Sequence, residues 1–110
     1  MINILKLIFA SIFTYMIYMT TMTSIELNLF THLPTLLKDP WAVATLWDAY
    51  FGFLTFYVWV YYKENSIVSK IIWFVAIMLL GNIAMALYML IELFKLKKED
   101  SIETLLLRKK

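Results

Sequence analysis

The sequence predicts an all-α integral membrane protein built as a bundle of three membrane-spanning helices. Of the 110 residues, 63% are hydrophobic and only 16% are charged, whereas soluble domains are about half apolar and about a quarter charged. The apolar residues form three runs between charged residues, and each is near the ~20 residues that a helix needs to cross a bilayer. Because backbone groups in lipid must form their hydrogen bonds within the chain, helices are the economical structure.

The first predicted span covers residues 4–25, and its apolar run lies between Lys6 and Glu26. A cleaved signal peptide is the alternative, because one lysine precedes an apolar stretch that ends near small residues. No A-x-A cleavage site follows the stretch. We therefore predict a helix that is retained in the protein.

The second and third predicted spans cover residues 41–62 and 69–94. Asp39 is expected to cap the second helix, and Pro40 suits its first turn. Trp41 is expected to lie at the membrane interface. Because the link between the two spans is short, they are expected to be antiparallel neighbours.

Residues 1–96 are predicted to form one membrane domain, and residues 97–110 a basic amphipathic tail. A surface helix is possible in this tail and in the first loop, where leucines at helical spacing continue until an interruption at Pro34. Most lysines and arginines lie in the tail and first loop of this three-span arrangement. The positive-inside rule then places the N-terminus outside and the C-terminus in the cytoplasm of a cell bounded by a plasma or inner membrane.

Asp48 is the residue of greatest functional interest, because it interrupts the apolar run of the second span. An ionisable group within a membrane costs about 2.5 to 3.5 kcal/mol on insertion scales and usually faces the interior of a bundle. At a period of 3.6 residues, Asp48 shares one face with Thr45, Gly52 and Thr55, and such small or hydroxylated residues are typical of helix contacts in lipid. We therefore expect Asp48 to face other helices.

Candidate partners of Asp48 follow from depth in the three-span arrangement. The side chains that could form a ligand or proton site with it are Tyr15, Tyr18, Asn82, Tyr88 and Glu92. Three interpretations remain open. Asp48 could be a structural hydrogen-bonding residue, a ligand or proton site, or a contact between subunits. Glu92 can also reach the interface beside Lys95, which favours a structural role for it.

The sequence contains no recognisable catalytic or metal-binding pattern. It has no cysteine, and His32, the single histidine, is predicted in a loop without evident metal ligands nearby. No nucleophile–histidine–acid set, glycine-rich phosphate loop or HExxH motif is present. We expect no metal site and no nucleic-acid partner, and no particular cofactor is indicated.

Several segments resemble an uncharacterised family of small multi-span membrane proteins with bacterial and plant members, described as a domain of unknown function. These segments are ELNLF (26–30), DPW (39–41), ATLWDAYFGF (44–53), WVYYKE (59–64) and LGNIAMALYML (80–90). The resemblance covers most of residues 26–96. It implies a multi-span membrane protein and draws attention to Asp39, Trp41, Asp48, Lys63 and Glu64, but it implies no activity.

Two functions of different classes are consistent with these observations. The first is a non-enzymatic membrane protein that acts as an assembly or accessory subunit, with Asp48 in a buried polar cluster. Its partners would be the lipid bilayer and either further copies of itself or a larger membrane complex. The alternative is a small oligomeric transporter or lipid- or ligand-binding protein that uses Asp48 and Asn82. An open polar cavity would favour the second function, and dry packing the first.

Overall fold

The computed structural model describes residues 2–97 and 100–107, with the side chains of Leu29 and Phe30 excepted, and this part of the chain is helical without strands. Its helices are α1 (Ile2–Glu26), α2 (Leu29–Leu36), α3 (Pro40–Lys63), α4 (Ile67–Leu80), α5 (Asn82–Lys95) and α6 (Ile102–Leu106). The all-α prediction is therefore confirmed for the described residues.

Two of these helices, α1 and α3, are long and apolar enough to cross a membrane, with 25 and 24 residues. The start of α3 is defined locally. Asp39 is its N-cap residue, and its Oδ1 accepts a hydrogen bond from the backbone N–H of Trp41 at 3.0 Å. Pro40 occupies the first turn, where its missing N–H costs no helical hydrogen bond. Trp41 itself is 82% exposed.

The third predicted span, residues 69–94, is not one helix. Gly81 has φ 56° and ψ −122°, a conformation that residues with a Cβ rarely adopt. The chain reverses there, so that α4 and α5 pack against each other and bring the rings of Trp73 and Tyr88 to 4.8 Å. The sequence analysis predicted a single span for this apolar run because no long charged stretch and no proline interrupts it.

The turn at Gly81 lies against the middle of α3. A Cβ at this position would lie 2.7 Å from Cζ of Phe53. Further along α3, the hydroxyl of Tyr57 donates a hydrogen bond to the backbone carbonyl of Lys70, near the start of α4, at 2.8 Å. Helices α3 and α4 therefore run in opposite directions. The α4–α5 hairpin therefore covers only the C-terminal half of α3, and the N-terminal half projects beyond it.

Helix α1 packs along α5 in the opposite direction. Its first residues, Ile2 and Leu5, join a cluster with Leu93 of α5 and Leu105 of α6, and Nζ of Lys6 lies 4.7 Å from the ring centre of Phe94. The start of α1 and the end of α5 are therefore at the same end of the molecule. The predicted three-span arrangement places the start of α1 and the tail at opposite ends; in this structure the start of α1 and α6 lie at the same end, because the turn at Gly81 adds a reversal of direction.

The first loop and the tail both contain a helix. Helix α2 continues through Pro34 to Leu36, so the expected interruption at this proline does not occur. In the tail, α6 is short, and Asp100 Oδ2 accepts a hydrogen bond from the backbone N–H of Lys97 at 2.7 Å. The basic residues Lys98, Arg108, Lys109 and Lys110, on which the basic character of the tail largely depends, lie outside the described residues.

The buried core is small and extends from the α4–α5 turn to the end where α3, α5 and α6 meet. Val60, Ile77, Ala84 and Tyr88 form its first part, and the cluster around Leu93 forms its second part. No described residue of α1 is buried, and only Val60 and Lys63 of α3 are. The long helices therefore present most of their apolar surface outward.

Candidate functional site

A polar cluster lies at the end of the molecule that holds the start of α1 and helix α6, and Lys63 is its centre. Lys63 is the last residue of α3 and only 7% exposed. Its Nζ lies 3.8 Å from Oε2 of Glu92, which is 6% exposed, and Oε1 of Glu92 lies 3.8 Å from Nζ of Lys95. A buried charge needs a compensating partner, and Glu92 supplies it from α5.

Lys63 also holds the tail. Its Nζ donates hydrogen bonds to the carbonyl oxygens of Leu105 and Leu107, the second at 3.0 Å. These carbonyls lie at the C-terminal end of α6, where helical carbonyls lack partners within the helix and favour a positive charge. On the same face of α3, one turn earlier, Nε1 of Trp59 donates to the carbonyl of Leu106 at 2.9 Å. Two side chains of α3 therefore dock α6 by its backbone.

Tyr88 links this cluster to the core. Its hydroxyl donates to Oε2 of Glu64 at 2.8 Å, while its ring is 1% exposed. Three aromatic rings meet the Tyr88 ring edge to face, with centroid distances of 6.2, 5.7 and 4.8 Å: Phe56, Trp59 and Trp73. Such pairs add about 0.5–1.5 kcal/mol each beyond area burial, so this ring fixes α5 between α3 and α4.

An apolar cavity of about 390 Å³ lies beside α6, between α1, α3 and α5. It is lined by Phe9, Ile12, Phe56, Trp59, Asn82, Met85, Ala86, Met89 and Leu106. Polar cavities lie at the end of the molecule that contains the Lys63 cluster. One of about 270 Å³ adjoins Lys63, Glu64 and Glu92, and one of about 630 Å³ adjoins Lys6 and Lys97.

The chemistry of the Lys63 cluster is that of a structural junction. The Lys63 ammonium is directed at two backbone carbonyls and a carboxylate, so its hydrogen bonds connect the end of α3 to α6 and α5. Within residues 2–97 and 100–107, no group of three or more His, Cys, Asp or Glu could hold a metal ion. The cluster therefore joins helices and tail through charge-assisted hydrogen bonds.

The structure does not bring the predicted partners of Asp48 together. Asp48 is exposed in the single chain and makes no hydrogen bond or ion pair within the described residues. Tyr15 and Tyr18 are 61% and 60% exposed on α1, which packs on α5 rather than on α3. Asn82 is exposed and lines the apolar cavity, whose lining does not include Asp48. The predicted cluster of these side chains is therefore not formed within one chain.

Two of the predicted residues do meet, although without Asp48. Tyr88 and Glu92 lie on α5 at the Lys63 cluster. Sequence reasoning treated Lys63 as a flanking charge and missed its burial. The available signal was the pairing of Lys63 with Glu64 at a helix end, which the family resemblance also marked. Docking of the tail on Trp59 had no sequence signal that we recognise.

No curated protein and no solved structure matches the chain. A family model does match, and it spans residues 1–110, which is the length of the chain. The chain therefore belongs to the family described as Protein of unknown function (DUF1475).

Proposed function

We propose that this chain is a non-enzymatic integral membrane protein that acts as an assembly or accessory subunit and associates with further copies of itself. The observation that carries the proposal is the exposed Asp48 on an apolar helix, which has no hydrogen-bond or ion-pair partner among residues 2–97 and 100–107. A carboxyl group facing lipid is costly. A second copy that covers this face of α3 removes the cost.

The proposed topology has α1 and α3 as the spanning helices, with both chain ends in the cytoplasm. Of the described basic residues, only Lys38 belongs to the connection between α1 and α3, whereas the others are at or near the opposite end: Lys6, Lys63, Lys70, Lys95 and Lys97. The positive-inside rule therefore favours a cytoplasmic location for that end, in a plasma or inner membrane.

The α4–α5 hairpin is proposed to enter the membrane from the cytoplasmic side and return to it. Each of its helices has 14 residues, or about 21 Å at 1.5 Å per residue, which is less than the ~30 Å of the hydrocarbon core. A non-helical turn at membrane depth is tolerated only where protein covers it. Gly81 meets this condition, since it is buried against Phe53.

One exposed face of α3, from its projecting half to its middle, is the proposed contact between copies. Thr45, Asp48, Gly52 and Thr55 share this face and are all exposed. No heavy atom lies within 4 Å of a Cβ built on Gly52, so this face is open. The threonine hydroxyls are already used, since each donates to the carbonyl four residues earlier. Each threonine can still accept a hydrogen bond, but Asp48 is the polar side chain on this face that makes no hydrogen bond or ion pair within the described residues.

Self-association is tested with Asp48→Leu and Asp48→Asn in lipid bilayers. We expect Asp48→Asn to associate like the unmodified protein, because an amide keeps donor and acceptor groups. Asp48→Leu should weaken association about three- to twentyfold, the range that corresponds to membrane hydrogen bonds of about 0.6–1.7 kcal/mol. Single-molecule photobleaching over a range of protein-to-lipid ratios measures the dissociation constant.

The matched control is Leu54→Ala, at an exposed position on another face of α3. This substitution should leave self-association unchanged. A monomeric wild-type protein at every density would refute the proposal. Equal association of Asp48→Leu and wild type would refute the role of Asp48.

The topology is tested separately by cysteine labelling, because the chain has no native cysteine. Asn3→Cys and Ser101→Cys should react with an impermeant maleimide from the same side of the membrane, and Thr35→Cys from the other. All three positions are exposed. Labelling of Asn3→Cys and Ser101→Cys from opposite sides would restore the three-span arrangement.

The alternative function, a small oligomeric transporter or ligand-binding protein that uses Asp48 and Asn82, has less support. It requires the two side chains to share a site, and Asp48 is absent from the lining of the cavity beside Asn82. Asp48→Asn that assembles normally but abolishes the cellular phenotype would favour this alternative.

A further inference from the structure

Two cavities of opposite character follow each other along α1. The apolar cavity reaches α1 at Phe9 and Ile12, and the polar cavity of about 630 Å³ reaches it at Ile2 and Lys6. Lys6 and Phe9 are three residues apart and therefore neighbours on the helix surface. Helix α6 contributes to both cavities, with Ile102 in the polar one and Leu106 in the apolar one. The cavities are thus successive parts of one side of the molecule.

The polar cavity is suited to an anion. Two cations line it, Lys6 from α1 and Lys97 from the chain between α5 and α6. Neither forms an ion pair within the described residues, although Nζ of Lys6 lies over the ring of Phe94. Among the described lining residues, the carboxylate is that of Asp100, which accepts a hydrogen bond from the backbone N–H of Lys97. Lys6 and Lys97 therefore bring two basic side chains to the cavity lining, and neither is ion-paired with a carboxylate within residues 2–97 and 100–107.

The apolar cavity is suited to a hydrocarbon chain. Apart from Asn82, its lining is aromatic or aliphatic, and Met85 and Met89 provide flexible side chains that adapt to irregular apolar ligands. Its volume of about 390 Å³ falls within the ~300–1,000 Å³ typical of small-molecule sites. In the proposed topology it lies on the membrane side of Lys6, at the depth of acyl chains.

We propose that these two cavities together bind one anionic phospholipid, with its phosphate beside Lys6 and Lys97 and an acyl chain between α1, α3 and α5. The site uses the proposed membrane topology but not self-association, since neither cavity includes Asp48. The hydrogen bonds from Trp59 and Lys63 to α6 also hold Ile102 and Leu106 in place. These two α6 residues line the polar and the apolar cavity, respectively.

The test is native mass spectrometry of the purified protein titrated with dioleoyl phosphatidylglycerol or dioleoyl phosphatidylcholine. These lipids have the same chains and differ in net charge. We expect wild-type protein to retain the anionic lipid preferentially. Lys6→Gln should lower that preference about fivefold, the effect of one lysine near an anionic surface. Ile12→Trp, which places a larger side chain in the apolar cavity, should lower retention of both lipids.

Matched controls are Lys38→Gln at the opposite end and Leu7→Trp, which is 69% exposed on the other side of α1. Both should behave like wild type. Equal retention of the two lipids by wild type would overturn the phosphate site, and Ile12→Trp that retains lipid like Leu7→Trp would overturn the chain site.

A measurement on the unmodified protein covers the case in which Ile12→Trp fails to fold. Glycerol phosphate, which lacks acyl chains, should not displace bound phosphatidylglycerol at equal concentration. Displacement by glycerol phosphate would show that the phosphate alone is recognised and would overturn the proposal for the apolar cavity. Failure of Asp48 variants to alter association leaves these outcomes unchanged, so the two proposals fail separately.

Discussion

Replacing Gly81 with alanine should strongly destabilise the protein, because two independent features of the α4–α5 turn require glycine. The backbone has φ 56° and ψ −122°, where a Cβ is strained. The added carbon would also lie 2.7 Å from Cζ of Phe53 and 3.2 Å from Cε2. The ring belongs to the α3 residue packed against this turn, so it must shift to admit the carbon.

The expected cost is the sum of these two effects. Holding a non-glycine residue in a sparsely populated backbone region costs about 1–3 kcal/mol. Adding a carbon to a packed position costs about 1–3 kcal/mol. Gly81→Ala should therefore lower the free energy of unfolding by about 2–6 kcal/mol. The matched change, Gly52→Ala, lies within helix α3 in open space, and should raise stability by about 0.5–1 kcal/mol.

A denaturant titration in detergent, at a dilution at which the chain is monomeric, measures both variants. The two effects separate in a background of Phe53→Leu, which removes the ring. There, Gly81→Ala should cost only the backbone strain, about 1–3 kcal/mol. Gly81→Ala as stable as wild type would refute the turn geometry. An identical cost in both backgrounds would refute the contact with Phe53.

Other substitutions test the Lys63 cluster. Lys63→Met should lower the free energy of unfolding by about 3 kcal/mol, because it leaves the buried Glu92 with one cation. The same substitution should speed amide hydrogen exchange in α6. The control Lys38→Met, at an exposed position, should have neither effect. Unchanged exchange in α6 would show that Lys63 does not hold the tail. Tyr88→Phe should cost about 1.5–3 kcal/mol, because its hydroxyl bonds a carboxylate. Tyr50→Phe removes a longer, exposed hydrogen bond to a backbone carbonyl and should lower the free energy of unfolding by less than about 1 kcal/mol. A lower unfolding temperature for Tyr50→Phe than for Tyr88→Phe would contradict this prediction.

The sequence alone determined the local features of the chain. The apolar runs and the flanking charges predicted the extents of α1 and α3 to within a few residues. Asp39 and Pro40 marked the start of α3, because capping involves atoms only two residues apart. Tyr88 and Glu92 were predicted as partners of Asp48 in a ligand or proton site; the structure places them beside Glu64 and Lys63 instead.

Tertiary structure decided the path of the chain and the partners of its charges. The reversal at Gly81 has a local signal, since Gly-Asn is a common turn pair, but an apolar run near the length of a membrane span concealed it. That one reversal brings the start of α1 and helix α6 to the same end and buries Lys63 against Glu92. It also leaves Asp48 without a hydrogen-bond or ion-pair partner in the described part of the chain. Caps and periodicity depend on neighbouring residues, whereas burial depends on contacts such as Trp59 with Leu106, 47 positions apart, which only the folded chain creates.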